Sequence, residues 1–281
     1  EISSGKQPGP HSILCLASYK GLHNYEWGNL ISVTTDIEDV FTQQIVEPKQ
    51  ENYLKSEMPI LDEITDKISS KVRKQYEKNP YPRWVQLGLS SNPKTISRVV
   101  NELNLRTFDS RINEVESPAI LVAGCGTGHH SITTAKRFLN SKVLAVDLSL
   151  SSLAYAKRKT EELGFQNIEY MQADILDLGK LGKQFEIVES SGVLHHMNDP
   201  IAGWKVLAGC LELGGLMNIG LYSEFARKHI VALRDDISQN NIGSDDDAMK
   251  SFRRGIINSD DKEKYQTIQL SNDFYSLSAM R

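Results

Sequence analysis

The feature that most constrains the fold is an apolar run that ends in three alternating glycines. Residues 119–123 are apolar and of strand length, and Gly124, Gly126 and Gly128 then occupy every second position before an amphipathic run. This order predicts a buried strand, a tight turn and the start of a helix. Because glycine has no Cβ, such a turn lets backbone N–H groups approach a ligand, and the following helix N-terminus favours an anionic group. We therefore predict a site for a nucleoside-containing cofactor at this turn.

Apolar and amphipathic segments alternate through the middle of the chain. Strands are predicted at 118–123, 142–147, 168–173, 185–190 and 215–221, and helices near 129–139, 150–163 and 199–213. Gly164 and Gly214 lie where helix C-terminal caps are expected. This alternation predicts an α/β fold with right-handed crossovers, a Rossmann-like, doubly wound and mostly parallel sheet. Such a sheet usually has two further strands, and since no candidates follow, we expect edge strands to be missing at the C-terminus.

The first part of the chain predicts helices rather than strands. We expect a helical N-terminal cap or lid region at residues 1–85, followed at residues 86–281 by the α/β domain, truncated at its C-terminus. Five apolar residues at spacings of three and four predict one face of a helix: Leu61, Ile64, Ile68, Val72 and Tyr76. Pro80 and Pro82 are expected to end that helix. Residues 272–276 are predicted to form a connector.

Composition and charge disfavour several classes of protein. The 281 residues carry a net charge of −4, which gives no strong signal for a nucleic-acid binder that works through bulk electrostatics. Cys15, Cys125 and Cys210 form no CxxC pair, so we predict no disulfide framework, no metal site and a reducing, cytoplasmic location. No apolar run approaches the length of a membrane span, and we predict no membrane partner. These features do not determine the oligomeric state.

Acidic residues end the second and third predicted strands. Asp147 lies 23 positions after Gly124, a spacing that suits a carboxylate accepting hydrogen bonds from ribose hydroxyls. Asp174 is placed to accept a bond from an exocyclic adenine amine, with Asp177 as an alternative. The G-x-G-x-G spacing, with His129 after it, differs from the G-x-G-x-x-G of dinucleotide-binding proteins. The glycine spacing therefore disfavours a dehydrogenase.

Four segments in order resemble the successive motifs of class I S-adenosylmethionine-dependent methyltransferases: residues 120–128, 143–149, 169–174 and 185–200. The resemblance covers about residues 115–222. It implies transfer of a methyl group from S-adenosylmethionine, with S-adenosylhomocysteine as product, to an acceptor that is a small molecule, a peptide or an RNA. Residues 75–84 and 220–227 are similar to bacterial methyltransferases that carry tetratricopeptide repeats upstream, although no such repeats occur in this sequence.

The resemblance implies a set of cofactor-binding residues at the strand ends: Gly124, Cys125, Gly126, Asp147, Leu148, Asp174, Ile175 and Ser190. The first three would line the methionine and ribose portions. Asp147 would hold the ribose hydroxyls, with Leu148 against the adenine. The pair at 174–175 would flank the adenine, and Ser190 would lie beside the sulfonium. On its own pattern, Cys125 is a small buried residue of a turn rather than a nucleophile.

Val122 departs from the family pattern. Many relatives carry an acidic residue two positions before the first glycine, and this chain has valine there. That carboxylate helps to position the amino group of the cofactor through nearby structure. The contacts around the cofactor are therefore expected to differ from those of these relatives, while the fold is not.

The candidate residues for the methyl-acceptor side of the site follow the fourth and fifth strands. His195 and His196 are candidates for a general base, or they are packed or capping histidines. Tyr222 lines the substrate pocket or packs there. A base is needed only if the acceptor must lose a proton early, because holding the acceptor and methyl group in line supplies much of the acceleration.

The segment Tyr81–Pro82–Arg83–Trp84 also has two interpretations. Tyr81, Arg83 and Trp84 form a lid over the ligand, with Arg83 reaching an anion, or the segment is a rigid turn whose aromatic rings pack on the core. His129 and His130 are expected to begin the helix after the glycine turn.

An alternative for the whole chain is a non-catalytic module that binds S-adenosylmethionine or docks a partner.

Overall fold

A computed structural model describes residues 5–89, 92–223, 225–226, 228–243 and 245–259. Its contacts divide the chain into two compact units, one up to Met58 and one from Pro59 onward. The predicted boundary after residue 85 differs from this division, because residues 59–85 fall within the second unit. The connector predicted at residues 272–276 lies outside the described residues.

The first unit is a small assembly of short helices. It contains α1 (Pro10–Tyr19), α2 (Glu38–Phe41) and α3 (Glu47–Ser56), with 3₁₀ turns at Leu22–Asn24 and Gly28–Leu30 and a π-helical turn at Thr42–Val46. Ile13, Leu22 and Ile45 are among its fully buried side chains. The Gln44 amide joins two segments, since it accepts from the Leu22 N–H at 2.9 Å and donates to the Ala17 carbonyl at 3.2 Å. The predicted helical character of this region is confirmed.

The second unit is built on a five-stranded sheet. Its strands are β1 (Ala119–Ala123), β2 (Lys142–Asp147), β3 (Ile168–Gln172), β4 (Phe185–Ser191) and β5 (Leu211–Gly220). All neighbouring strands are parallel, and their spatial order is β3-β2-β1-β4-β5. The predicted Rossmann-like fold is confirmed. In this topology the switch in strand order falls between β1 and β4, where ligands bind outside the carboxyl ends of the strands.

Helices cover both faces of this sheet. The second unit has α4 (Lys67–Lys78), α5 (Ile96–Glu102), α6 (His129–Arg137), α7 (Leu150–Glu162), α8 (Pro200–Gly209), α9 (Lys228–Gln239) and α10 (Asp246–Ile257), with 3₁₀ segments at Ser110–Glu114, Ile175–Leu181 and Leu194–His196. Each predicted helix between the strands is present. A core that includes Leu121, Val146, Val188 and Leu207 fills one face.

The helix predicted to contain Leu61 and Ile64 begins later than expected. The Asp66 carboxylate caps α4 by accepting from the Ser69 N–H at 2.8 Å, so the helix starts at Lys67. The preceding segment is extended instead, and its Leu61 N–H donates to the Gln172 carbonyl at 2.9 Å. Burial of apolar residues against the end of β3 therefore overrides their helical spacing.

The strand β5 also begins earlier than predicted. It starts at Leu211, directly after α8, so residues 211–213 are not helical. Gly214 has φ +83° but lies inside β5, where an added Cβ would be 2.7 Å from the Cβ of Asp109. This glycine therefore permits close packing and is not a helix cap. Gly164, with φ +75°, does follow α7 as predicted, and its N–H donates to the Glu161 carbonyl.

Candidate functional site

The glycine turn between β1 and α6 is anchored to the neighbouring strand β2. Gly124, Gly126 and Gly128 all have positive φ, at +77°, +53° and +87°. The N–H groups of Gly124 and Cys125 both donate to the Val146 carbonyl, at 2.8 and 2.9 Å. The turn is thus fixed at the carboxyl edge of the sheet, with α6 starting directly after it.

Asp147 ties the turn to the start of the next helix. Its Oδ2 accepts from the Gly126 N–H at 2.8 Å, and its Oδ1 accepts from the Ser149 N–H at 2.9 Å. Burial raises the pKa of this carboxyl, and the N–H groups of Ser149 and Gly126 partly oppose the rise. Each carboxylate oxygen has further lone pairs, so both can still accept bonds from a ligand.

The predicted adenine-side residues lie along the same edge. The Gln172 side chain donates to the Leu148 carbonyl at 2.7 Å, and the Ala173 N–H donates to the Asp147 carbonyl at 3.1 Å. The Asp174 carboxylate accepts from the Leu176 N–H at 3.0 Å and caps the 3₁₀ segment that Ile175 begins. Asp174 and Ile175 are both buried. The ends of β2 and β3 are therefore held together by polar contacts.

Ser190 is a buried polar residue near the end of β4. Its side chain is fully buried, and its Oγ has no hydrogen-bond partner among the described residues. An unsatisfied buried hydroxyl costs about 1–3 kcal/mol, so a ligand group that bonds to it would relieve that cost. Its position therefore fits the predicted role beside a polar ligand.

The loop after β4 passes directly over the first glycine. A Cβ on Gly124 would be 2.3 Å from the Val193 side chain, so only glycine fits there. At Gly126 the surroundings are different, since the nearest atom to an added Cβ is the Tyr81 carbonyl oxygen at 3.7 Å. An added Cβ would thus make only an ordinary contact, and without a side chain the Gly126 backbone can be approached closely by a cofactor. The turn thus fits a bound S-adenosylmethionine.

Residues 81–84 form a strap that is bonded to the glycine turn. The Thr127 hydroxyl donates to the Pro82 carbonyl, and the Trp84 indole donates to the Thr127 carbonyl at 3.0 Å. The Tyr155 hydroxyl of α7 donates to the Trp84 carbonyl. The guanidinium of Arg83 lies 5.0 Å from the Tyr155 ring centroid. The strap has the aromatic packing of the predicted rigid turn, and contact of Arg83 with an anion stays a prediction.

Glu77, at the end of α4, makes polar contacts near the site, although the sequence does not predict it to be a site residue. Its carboxylate accepts from the Ser149 hydroxyl at 3.0 Å and from the Ser151 N–H at 3.1 Å, at the N-terminus of α7. A carboxylate is favoured there by the helix dipole. Its only signal in the sequence is its position within residues 75–84. Through Glu77, α4 is fixed beside the Asp147 end of the site.

The candidate acceptor-side rings form one cluster. The His195 ring lies 4.0 Å from the Tyr222 ring and 4.3 Å from the His196 ring, measured between centroids. About half of Tyr222 is exposed, at 47%. The structure therefore brings together the three residues that follow β4 and β5. Their roles as base and pocket lining stay predictions.

Glu189 is a buried carboxylate in the interior strand β4, directly after the apolar Ile187 and Val188. It lies 2.9 Å from His130 Nε2 and 3.8 Å from the Arg137 guanidinium, and it accepts from the Thr134 hydroxyl. Burial alone would raise the pKa of Glu189, but the bond and charge of His130, together with Thr134 and Arg137, hold it below its ordinary value. Glu189 is not among the site residues predicted from the sequence. The feature that could have indicated it is an acidic residue within a strand predicted to be buried.

We expect Glu189 to make stability depend on pH. Because its folded-state pKa is lowered, it stabilises the fold above the pKa of an unfolded glutamate, and this is lost as the pH falls through the folded-state value. The difference in urea midpoint between wild type and Glu189→Gln should therefore be larger at about pH 7 than at about pH 3.5. A difference that is the same at both pH values would contradict this assignment.

Three further observations concern the Cys125 thiol, metal ligands and membrane-spanning helices. Cys125 is buried, and burial raises the pKa of its thiol well above the ordinary value, which disfavours a nucleophilic thiolate. Among the described residues, no three His, Cys, Asp or Glu side chains are grouped so that they could hold a metal ion. In the same part of the chain, no helix has the length and apolarity to cross a membrane.

Comparison with known proteins relates this geometry to methyltransferases. Residues 120–215 match the family model for a methyltransferase domain. An uncharacterized protein of Synechococcus sp. is 33% identical over 129 residues, which cover 46% of this chain and 31% of that protein. The ubiquinone biosynthesis O-methyltransferase of Acinetobacter baylyi is 24% identical over 135 residues, 48% of this chain and 56% of the relative. The matches thus span 31% and 56% of the length of these two relatives.

A solved structure shows the same fold. PKMT2 from Rickettsia typhi, in complex with AdoHcy, aligns with a TM-score of 0.53 and 19% identity, covering 72% of this chain and 41% of that chain. At this level of identity the likeness supports the fold of the second unit.

Proposed function

We propose that this chain, whose residues 120–215 match a methyltransferase domain, transfers a methyl group from S-adenosylmethionine to an acceptor. The observation that carries the proposal is the clasp between the Gly126 N–H and the Asp147 carboxylate, at an uncrowded position in the glycine turn that follows β1. A tight backbone turn next to the half-buried carboxylate of Asp147 suits a ribose and its attached chain. S-adenosylhomocysteine is the expected product.

The chain's own residues act mainly by binding and orienting. S-adenosylmethionine supplies an activated sulfonium methyl group. Asp147 accepts from the ribose hydroxyls, Asp174 and Ile175 flank the adenine, and Ser190 offers its hydroxyl near the sulfonium. The cluster of His195 and Tyr222 borders the acceptor. Alignment of the two reacting atoms supplies much of the acceleration, and His195 or His196 acts as base only for an acceptor that must lose a proton.

Isothermal titration with S-adenosylmethionine, S-adenosylhomocysteine and NAD tests the cofactor. We expect both sulfur ligands to bind and NAD not to bind, because the glycine spacing differs from that of dinucleotide sites. Binding of NAD alone would overturn the proposal.

The second candidate is a non-catalytic module that binds S-adenosylmethionine or docks a partner. The contacts of Asp147 with the Gly126 and Ser149 N–H groups support this candidate as well, because they serve cofactor binding whether or not transfer follows. A screen with methyl-labelled S-adenosylmethionine against small molecules, peptides and RNA separates the two. Transfer to any acceptor supports the enzyme, and cofactor binding with no transfer across all three classes favours the module.

Two finer assignments belong to the same proposal. The free thiols of Cys15, Cys125 and Cys210 are consistent with the cytoplasmic location predicted from the sequence. The narrower resemblance, to bacterial methyltransferases with tetratricopeptide repeats upstream, stays a prediction. Its supporting feature is the strap, which belongs to the most specific of the resembling segments.

The strap is expected to support cofactor binding. Trp84→Phe removes the indole bond to the Thr127 carbonyl, so the glycine turn should become less fixed. We expect about a three- to ten-fold weaker affinity for S-adenosylhomocysteine by titration calorimetry, the scale of one neutral hydrogen bond. Trp204→Phe is the matched control, because its indole bond to the Met217 sulfur joins α8 to β5. Equal affinities for the two variants would contradict the role of the strap.

A further inference from the structure

The buried carboxylate of Glu189 costs the fold free energy of desolvation. It lies on the interior strand β4, with Val122 of β1 and Asn218 of β5 as its register partners, and its side chain is 3% exposed. Removing a charge from water costs several kcal/mol unless good partners compensate, and apolar replacements at such positions are often neutral or stabilising. Stability therefore does not by itself explain a carboxylate at this position.

Within the described part of the chain, the polar partners of Glu189 all belong to α6. They are His130 in the first turn of the helix, Thr134 one turn later and Arg137 at its end. His130 lies two positions after Gly128, the last glycine of the cofactor turn. An ionised carboxylate only accepts hydrogen bonds, so Nε2 of His130 donates to Glu189. The strand thus holds the first turn of the helix through one directed bond.

We infer that Glu189 is a positioning residue for the cofactor site, acting through His130 to fix the glycine turn and the start of α6. This inference rests on the proposed function. It also gives Val122 a structural context. Val122 and Glu189 are register partners on adjacent parallel strands, so their side chains lie on the same face, with the strands about 4.8 Å apart. The acidic residue that the family resemblance leads one to expect on β1 is replaced by one on β4.

A double-mutant cycle tests the inference, with S-adenosylhomocysteine as the probe in titration calorimetry. We expect Glu189→Gln and His130→Ala each to weaken binding roughly ten-fold, and the double variant to lose no more than the larger single change. His130→Gln keeps an N–H donor for Glu189 and should restore part of the affinity lost in His130→Ala. A merely structural role for the histidine would not give that rescue together with non-additivity.

Glu186→Gln is the matched control on the same strand. Glu186 also accepts a hydrogen bond, from the Ala119 N–H at 2.7 Å, but at the opposite end of the sheet. We expect its affinity to stay within about two-fold of wild type. Circular dichroism and thermal unfolding check the fold of each variant. If Glu189→Gln does not fold, the His130→Ala and His130→Gln pair decides, with equal affinities overturning the inference and rescue supporting it.

The remaining outcomes are separable. Wild type that binds the probe, with Glu189→Gln unchanged or with additive losses in the cycle, overturns the positioning role and leaves the proposed function intact. Wild type that does not bind S-adenosylmethionine or S-adenosylhomocysteine overturns the proposed function and this inference with it.

Discussion

Asp147→Ala is expected to weaken binding of S-adenosylhomocysteine about a hundred-fold, close to 3 kcal/mol. The variant removes an acceptor from the Gly126 and Ser149 N–H groups, and it also removes the proposed acceptor of the ribose hydroxyls. Leaving several polar groups unpaired in a half-buried site costs more than losing one exposed bond. Titration calorimetry measures the affinity, and chemical unfolding measures how much of the change is lost stability.

Two further variants make the test of Asp147 specific. Asp147→Asn keeps one carbonyl acceptor, so we expect a loss smaller than that of Asp147→Ala. Asp109→Ala removes an aspartate that also accepts from a backbone N–H, that of Arg111, but away from the carboxyl edge of the sheet. Its affinity should match wild type. An Asp147→Ala protein that binds within two-fold of wild type, on the scale of measurement scatter, would remove the ribose assignment.

The parts of the fold that the sequence predicts are those with local signals. The five strands and the helices between them follow from apolar runs, helical periodicity and glycine turns. Asp147 and Asp174 could be found because residues that end parallel strands meet at one edge of the sheet. The predicted start of the helix before Pro80 fails because an extended pairing of Leu61 with β3 competes with the helical spacing.

The parts that it does not predict are contacts between elements far apart in the chain. Glu77 and Ser149 are 72 positions apart, and Thr134 and Glu189 are 55 apart. Each pair forms only once a helix packs on a particular strand or helix end. A local periodicity in the sequence does not predict contacts between residues so far apart in the chain. From the sequence alone, Glu77 therefore looks like an ordinary surface residue and Glu189 like an ordinary strand residue. These contacts fix the geometry of the site, whereas the strand-end residues define its chemistry.

Gly126→Ala is expected to separate cofactor binding from stability. Its φ of +53° makes a side chain cost about 1 kcal/mol, but the nearest atom to the new Cβ is 3.7 Å away, so packing in the free protein is little disturbed. The added methyl would instead occupy the space proposed for the cofactor. We expect about a hundred-fold weaker binding of S-adenosylhomocysteine with only a small fall in unfolding free energy.

Gly182→Ala is the matched control for backbone strain. Gly182 has φ +59° and nothing within 4 Å of an added Cβ, and it caps the 3₁₀ segment that ends at Leu181. We expect the same modest loss of stability as for Gly126→Ala and unchanged affinity. Gly124→Ala should show the opposite balance, with about 3 kcal/mol of lost stability, because strain combines with a clash in which the new Cβ lies only 2.3 Å from the Val193 side chain. If Gly126→Ala binds S-adenosylhomocysteine as tightly as Gly182→Ala does, the ligand does not approach this turn, and the clasp with Asp147 serves the fold alone.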